Sequence, residues 1–175
     1  MQKRITIVGD SLSEWSDGFY LRTKLPSQFV VRDLSIAGFT VSDWLGRKSQ
    51  LHSSEADLFI IELGTNDAMV TGSIGFRENY QSLMDHLTIH TSPNLILCKL
   101  PLTNMISIQP VISANNQTIS DLAKQSPKFS VVDLQTIFEN QTIPLYPLSD
   151  PIHPNETGYQ LIGDALAKQI LGLNI

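Results

Sequence analysis

Cysteine is almost missing from this chain: Cys98 is the only one in 175 residues. A lone thiol excludes an internal disulfide framework and any metal site built on several thiolates. It lies in the apolar run Leu95-Ile96-Leu97-Cys98, where a thiol serves as a small core residue and burial raises its pKa away from reactivity. Charge is sparse as well. Only 17% of residues are charged, the net charge is -5, and the twelve Lys and Arg are scattered without a basic run. Nucleic-acid binding needs basic side chains gathered on one surface, so that class of partner is set aside. No apolar stretch approaches the roughly 18 residues that a membrane-spanning helix requires. Lys3 and Arg4 run straight into a strand-like segment, which leaves no room for a secretory leader. The expectation is a cytoplasmic protein without an integral membrane segment.

What is present is an ordinary globular balance, with 42% apolar residues. Cores divide only above roughly 250 residues, so one domain over residues 1–175 is expected. Five short, mostly β-branched apolar runs stand out: Ile5 to Val8, Phe29 to Ile36, Leu58 to Leu63, Leu95 to Leu100 and Phe129 to Leu134. Most are continuous, which is how strands covered on both faces read. Helical spacing separates them. Val41, Trp44, Leu45 and Leu51 mark one face, and Thr40 with Asp43 forms a capping-box start. Phe76, Tyr80, Leu83, Met84 and Leu87 form a second stripe. A third joins Ile108, Val111, Ile112, Ile119 and Leu122, with Pro110 in its first turn, and Tyr159, Ile162, Leu166 and Ile170 make the last. Strands alternating with helices imply a parallel sheet with helices on both faces, and chemistry beyond the carboxyl ends of its strands. The stretch Asn140 to Pro154 holds four prolines and no helical pattern; long loops of this kind inside a domain are often functional.

Three strand ends and one loop carry the candidate chemistry. Gly9-Asp10-Ser11-Leu12 follows the first strand. Ser11 there is either a helix cap, the commoner use, or a nucleophile at the lip of the sheet. Gly38 follows the second strand and is either a turn glycine or a backbone N–H aimed at developing negative charge. Gly64-Thr65-Asn66-Asp67 follows the third; Asn-Asp is ordinary turn chemistry, and an asparagine amide can also donate to an oxyanion. The fourth piece is Asp150-Pro151-Ile152-His153-Pro154. Asp followed by Pro favours a type I turn that returns the Asp150 carboxylate toward the imidazole of His153, and Pro154 keeps that histidine out of the next helix. Such a histidine holds Nδ1–H toward the carboxylate and Nε2 free to take a proton. Together these supply the nucleophile, base, orienting acid and oxyanion site that acyl transfer requires.

The four motifs, in this order and spacing, resemble the SGNH hydrolases, the GDSL-type esterases and lipases, along nearly the whole chain. That resemblance implies a flavodoxin-like three-layer α/β/α catalytic domain with five parallel strands. It also implies Ser11 as nucleophile, His153 as base oriented by Asp150, and an oxyanion hole made of the Ser11 N–H, the Gly38 N–H and the Asn66 amide. No metal or organic cofactor is expected. The implied activity is serine-dependent hydrolysis of small-molecule esters, over a family range of carboxylesters, thioesters, lysophospholipids and acetylated sugars; a small domain without a long apolar lid points to carboxylesters of short acyl or acetyl groups, with a lysophospholipase or thioesterase of the same family as the alternative. Members often carry a glycine soon after the first motif, where this chain reads Ser13-Glu14-Trp15-Ser16-Asp17-Gly18. Trp15 either walls the substrate pocket or packs the first helix. Tyr146, with Leu145 and Leu148, either lines the alcohol side of the pocket or covers the core beneath its loop.

Other readings are weaker. His86 and His90 stand four apart on a helical stripe, without the Glu of an H-E-x-x-H motif or a third ligand. His52 ends a helix, where a cation favours the dipole. A non-catalytic domain binding phosphate or flavin after the first strand lacks G-x-G-x-x-G and G-x-x-x-x-G-K-[ST], and it leaves Asp150 and His153 unexplained.

Overall fold

A computed structural model describes residues 2–52, 55–91, 93–173 and 175. Strands β1 (Lys3–Gly9), β2 (Phe29–Asp33), β3 (Leu58–Glu62), β4 (Asn94–Lys99) and β5 (Phe129–Asp133) form one parallel sheet in the order β2-β1-β3-β4-β5. The helices are α1 (Ser11–Glu14), α2 (Leu21–Lys24), α3 (Val41–Gly46), α4 (Thr65–Val70), α5 (Phe76–Thr88), α6 (Gln109–Ala123), α7 (Leu134–Glu139) and α8 (Glu156–Gly172). The strand order reverses beside β1, which opens a crevice between the carboxyl ends of β1 and β3.

The continuous apolar runs divide by twos between the two sides of the sheet. Ile5, Ile7, Leu58, Ile60, Ile96 and Cys98 pack with Tyr159, Ile162, Leu166 and Ile170 of α8. Val8, Phe59, Ile61, Leu95 and Leu97 pack with Trp44 of α3, Tyr80, Leu83 and Leu87 of α5, and Ile119 and Leu122 of α6. A fully buried Leu or Ile contributes about 1.5–3 kcal/mol, so both faces are held and three layers result. Among the described residues no helix is long and apolar enough to cross a membrane.

Some elements depart from the sequence pattern. The second run was expected to extend to Ile36, yet β2 stops at Asp33, whose carboxylate accepts the Ser35 N–H at 3.0 Å and turns the chain. β2 and β5 are edge strands and only partly buried, unlike the three between them. Leu134 opens α7 instead of closing a strand, because Asp133 accepts the Thr136 N–H and caps a helix there. The Thr40–Asp43 capping box forms as expected, but α3 ends at Gly46 and Leu51 joins its face only after a 3-10 turn at Lys48–Gln50. α5 ends at Thr88, so His90 falls outside the helix, while His86 Nε2 lies 2.9 Å from the carbonyls of Lys48 and Leu51. Among the described residues no group of three or more His, Cys, Asp and Glu is placed to hold a metal ion.

Candidate active site

At the end of β1 the chain passes through a narrow place. A Cβ on Gly9 would stand 2.8 Å from Ser35 Oγ and 3.2 Å from the Glu62 carbonyl oxygen, so the close approach of three chain segments is what demands glycine. Asp10 then caps α1, its Oδ1 accepting the Leu12 N–H at 3.0 Å. Capping is done by the aspartate, and the Ser11 hydroxyl is left for another partner. That partner is His153, whose Nε2 lies 2.9 Å from Ser11 Oγ.

His153 is fixed from its other side. Nδ1 lies 2.8 Å from Asp150 Oδ2, and Asp150 Oδ1 accepts the N–H groups of Ile152 and His153, both at 2.9 Å. Burial alone would raise the Asp150 carboxyl; the two N–H bonds and the imidazole outweigh it and hold the group below its ordinary value. The loop is anchored at both ends: Asn104 N–H donates to the Pro151 carbonyl and Asn155 N–H to that of Leu145, each at 2.7 Å. Asn155 also caps α8 by accepting the Gly158 N–H.

Gly38 has φ +80°, a left-handed backbone that a side chain would strain. Its loop is tied down on either side. The Ala37 N–H donates to Glu14 Oε2 at 3.0 Å, and the Val41 N–H faces both Asp67 oxygens at 3.2 and 3.3 Å. Burial pushes the Asp67 carboxyl up to about 6 against the opposing pull of that N–H. The Gly38 N–H meets no acceptor among the described residues. Asn66 Nδ2 donates to Asp10 Oδ2 at 2.9 Å and to the Phe39 carbonyl at 3.2 Å, which joins the first, second and third motifs directly.

Trp15 does not pack into the first helix. It is 58% exposed and its ring lies against the His153 imidazole, centroids 4.0 Å apart. Tyr146 sits in the core beneath its loop, 5.9 Å from the Phe138 ring. It also walls a cavity of about 300 Å³ with Leu102, Thr103, Gln109 and Pro144, a lining that includes neither Ser11 nor His153. Leu145 is buried with it and Leu148 is fully exposed. Cys98 is buried and its thiol is raised by desolvation. Glu14, Glu62 and Asp67 lie at this edge without a sequence signal that singles them out: Glu14 and Asp67 are acids beside turns, and Glu62 interrupts the apolar run Leu58 to Leu63.

A hydroxyl, an imidazole and a carboxylate in hydrogen-bonded series beside the switch point of a parallel sheet place the chain in a broad class, the doubly wound α/β proteins with a site at the sheet's carboxyl edge. The family is narrower than that class. Residues 7–161 match the GDSL-like Lipase/Acylhydrolase family, and the chain belongs to it as a carboxylic ester hydrolase. Solved structures share the fold at low identity. A lipase/acylhydrolase from Enterococcus faecalis has a TM-score of 0.80 at 20% identity, over 98% of this chain and 96% of its own. An acetylxylan esterase from Geobacillus stearothermophilus has 0.74 at 17%, over 98% and 95%, and an acetyl xylan esterase, AlAXEase, has 0.77 at 19%, over 95% and 99%. No curated protein matches the chain significantly. Family membership sets aside the non-catalytic phosphate- or flavin-binding reading.

Proposed function

We propose that this hydrolase cleaves carboxylesters of short acyl groups, acetyl above all, by a Ser11-His153-Asp150 mechanism. The observation that carries the reading is the unbroken series from Ser11 Oγ through both imidazole nitrogens to Asp150. Ser11 Oγ attacks the ester carbonyl while His153 Nε2 takes its proton, and the oxyanion rests on the N–H groups of Ser11 and Gly38 and on the Asn66 amide. The tetrahedral intermediate collapses, His153 returns the proton to the departing alcohol, and the acyl group stays on Ser11. Water then attacks with His153 again as base, releasing the acid and the free serine.

Two observations support a short acyl group. The two connections that carry Ser11 and Asn66 are brief, with Asp10 alone between β1 and α1 and residues 63–64 between β3 and α4. The structural neighbours include acetylxylan esterases, among them two catalytic mutants in which a serine and an aspartate are replaced by alanine. With p-nitrophenyl esters, kcat/KM is expected to peak at acetate and to be at least about tenfold lower for octanoate. A preference for octanoate would sink the short-acyl reading. It would instead favour a lipase-like or lysophospholipase role, for which exposed Trp15, Val70, Ile74, Ile106 and Leu148 supply apolar surface.

Asn66 is the oxyanion donor with the most to trade. Both of its amide hydrogens are engaged, and the longer bond, to the Phe39 carbonyl, is the one an oxyanion would replace. Asn66→Ala is expected to lower kcat by roughly 10²–10³ with little change in KM. A loss smaller than about threefold in steady-state assays would place Asn66 outside the hole.

A further inference from the structure

Among the buried ionisable side chains that the mechanism leaves without a task, Glu62 lies nearest in register to the first motif. Glu62 ends β3, has no exposure, and pairs in register with Gly9, one residue before Asp10. Both of its carboxyl oxygens are sealed from solvent and neither meets a donor in good hydrogen-bonding geometry. The groups that face them are the carboxyl and the backbone N–H of Asp10.

Two ionised carboxylates in contact away from water repel each other strongly, so such a pair persists as one acid donating to one anion. The other partners decide which of the two holds the proton. Asp10 accepts the Leu12 N–H on Oδ1 and the Asn66 amide on Oδ2, and both bonds favour its ionised form. Glu62 has no comparable pair of donors. Burial pushes both carboxyls up, and Glu62 well above its ordinary value. The remaining titratable groups that act on the pair are Asp33, Asp67, Tyr80, Cys98, Tyr146 and Tyr159. All of these are acids, and none brings a positive charge to steady a second anion.

We propose that Glu62 is a neutral carboxylic acid that donates its proton to a hydrogen bond with Asp10, and through Asp10 holds the Asn66 amide in place for the oxyanion. It is a positioning residue: it touches neither substrate nor Ser11, and it acts only along the line Glu62, Asp10, Asn66. The inference rests on the reading of Asn66 as an oxyanion donor. It also gives Asp10 a second task, since the carboxylate that caps α1 is the one that orients the amide.

The test compares wild type, Glu62→Gln, Glu62→Leu and Asn66→Ala. At neutral pH the infrared difference spectrum of wild type against Glu62→Gln is expected to show a protonated-carboxyl C=O stretch belonging to wild type. Glutamine supplies an N–H where the acid supplied an O–H, so Glu62→Gln is expected to keep kcat for p-nitrophenyl acetate within about threefold of wild type. Leucine supplies no donor, and Glu62→Leu is expected to lose about tenfold or more in kcat while KM stays within about threefold. If Glu62→Leu fails to fold, the infrared band and the glutamine variant decide the matter alone. The proposal is overturned by the absence of the band, by a larger loss in Glu62→Gln, or by a folded Glu62→Leu enzyme with undiminished kcat. Asn66→Ala separates the two claims. Full activity in that variant beside an impaired Glu62→Leu removes the route through Asn66, whereas the reverse pattern removes only the part played by Glu62.

Discussion

Replacing Ser11 by alanine is expected to lower kcat for p-nitrophenyl acetate by about 10⁴-fold or more while the protein stays folded. Each half of that outcome has its own physical origin. Ser11 Oγ is bonded to His153 Nε2, so its removal leaves the base with no hydroxyl to activate, and water must attack the ester without a covalent intermediate. The oxyanion donors and the binding surface survive, so a residual rate remains above the uncatalysed one. Folding is spared because the cap of α1 belongs to Asp10 and because Ser11 contributes only one small polar atom to the packing. A change in Tm of no more than a few degrees is expected by differential scanning calorimetry. Turnover within about tenfold of wild type, after exclusion of contaminating esterase by active-site titration, would remove Ser11 as nucleophile.

How much of this site the sequence discloses depends on how local each contact is. Asp150 and His153 are three residues apart, and an Asp-Pro turn is enough to predict that they face each other. Ser11 and His153 are separated by 142 positions; no spacing rule reaches so far, and only the resemblance of four ordered motifs brings them together. Ser11 also illustrates a choice that local chemistry leaves open. Gly9-Asp10-Ser11-Leu12 alone favours a cap over a nucleophile at Ser11, and the structure assigns the cap to the neighbouring aspartate. Gly9 reads as a turn glycine, yet what it answers is the crowding of Ser35, just past β2, and of Glu62 at the end of β3. Glu62 is the hardest to read, since in sequence it only interrupts the apolar run Leu58 to Leu63, and the carboxyl that faces it, Asp10, lies just past the end of the adjacent strand. The fold is legible at its centre and less so at its rim. β1, β3 and β4 are buried on both sides and show continuous apolar runs, while β2 and β5 are edge strands whose ends are set by aspartates that cap or turn the following chain.

Asp150→Asn is expected to cost about 10³–10⁴ in kcat with the loop geometry nearly unchanged. Asparagine keeps one carbonyl oxygen, which can still accept the N–H groups of Ile152 and His153 that now converge on Asp150 Oδ1. The other atom becomes an NH₂ that can only donate. His153 Nδ1 must then accept, its proton moves to Nε2, and an Nε2–H facing Ser11 Oγ cannot take the serine's proton. Substrate binding does not pass through this carboxylate, so KM is expected to move by less than about threefold. The same change alters stability in a definite direction with pH. Folded Asp150 is held below its ordinary pKa, so its pairing stabilises the fold fully above the unfolded value of about 3.9 and is lost as pH falls through the folded value. Asparagine has no such proton to bind, so the Tm gap between wild type and variant is expected to narrow on acidification through this range. A gap that does not change with pH, or a variant retaining more than about a tenth of wild-type kcat, would mean that Asp150 does not orient His153.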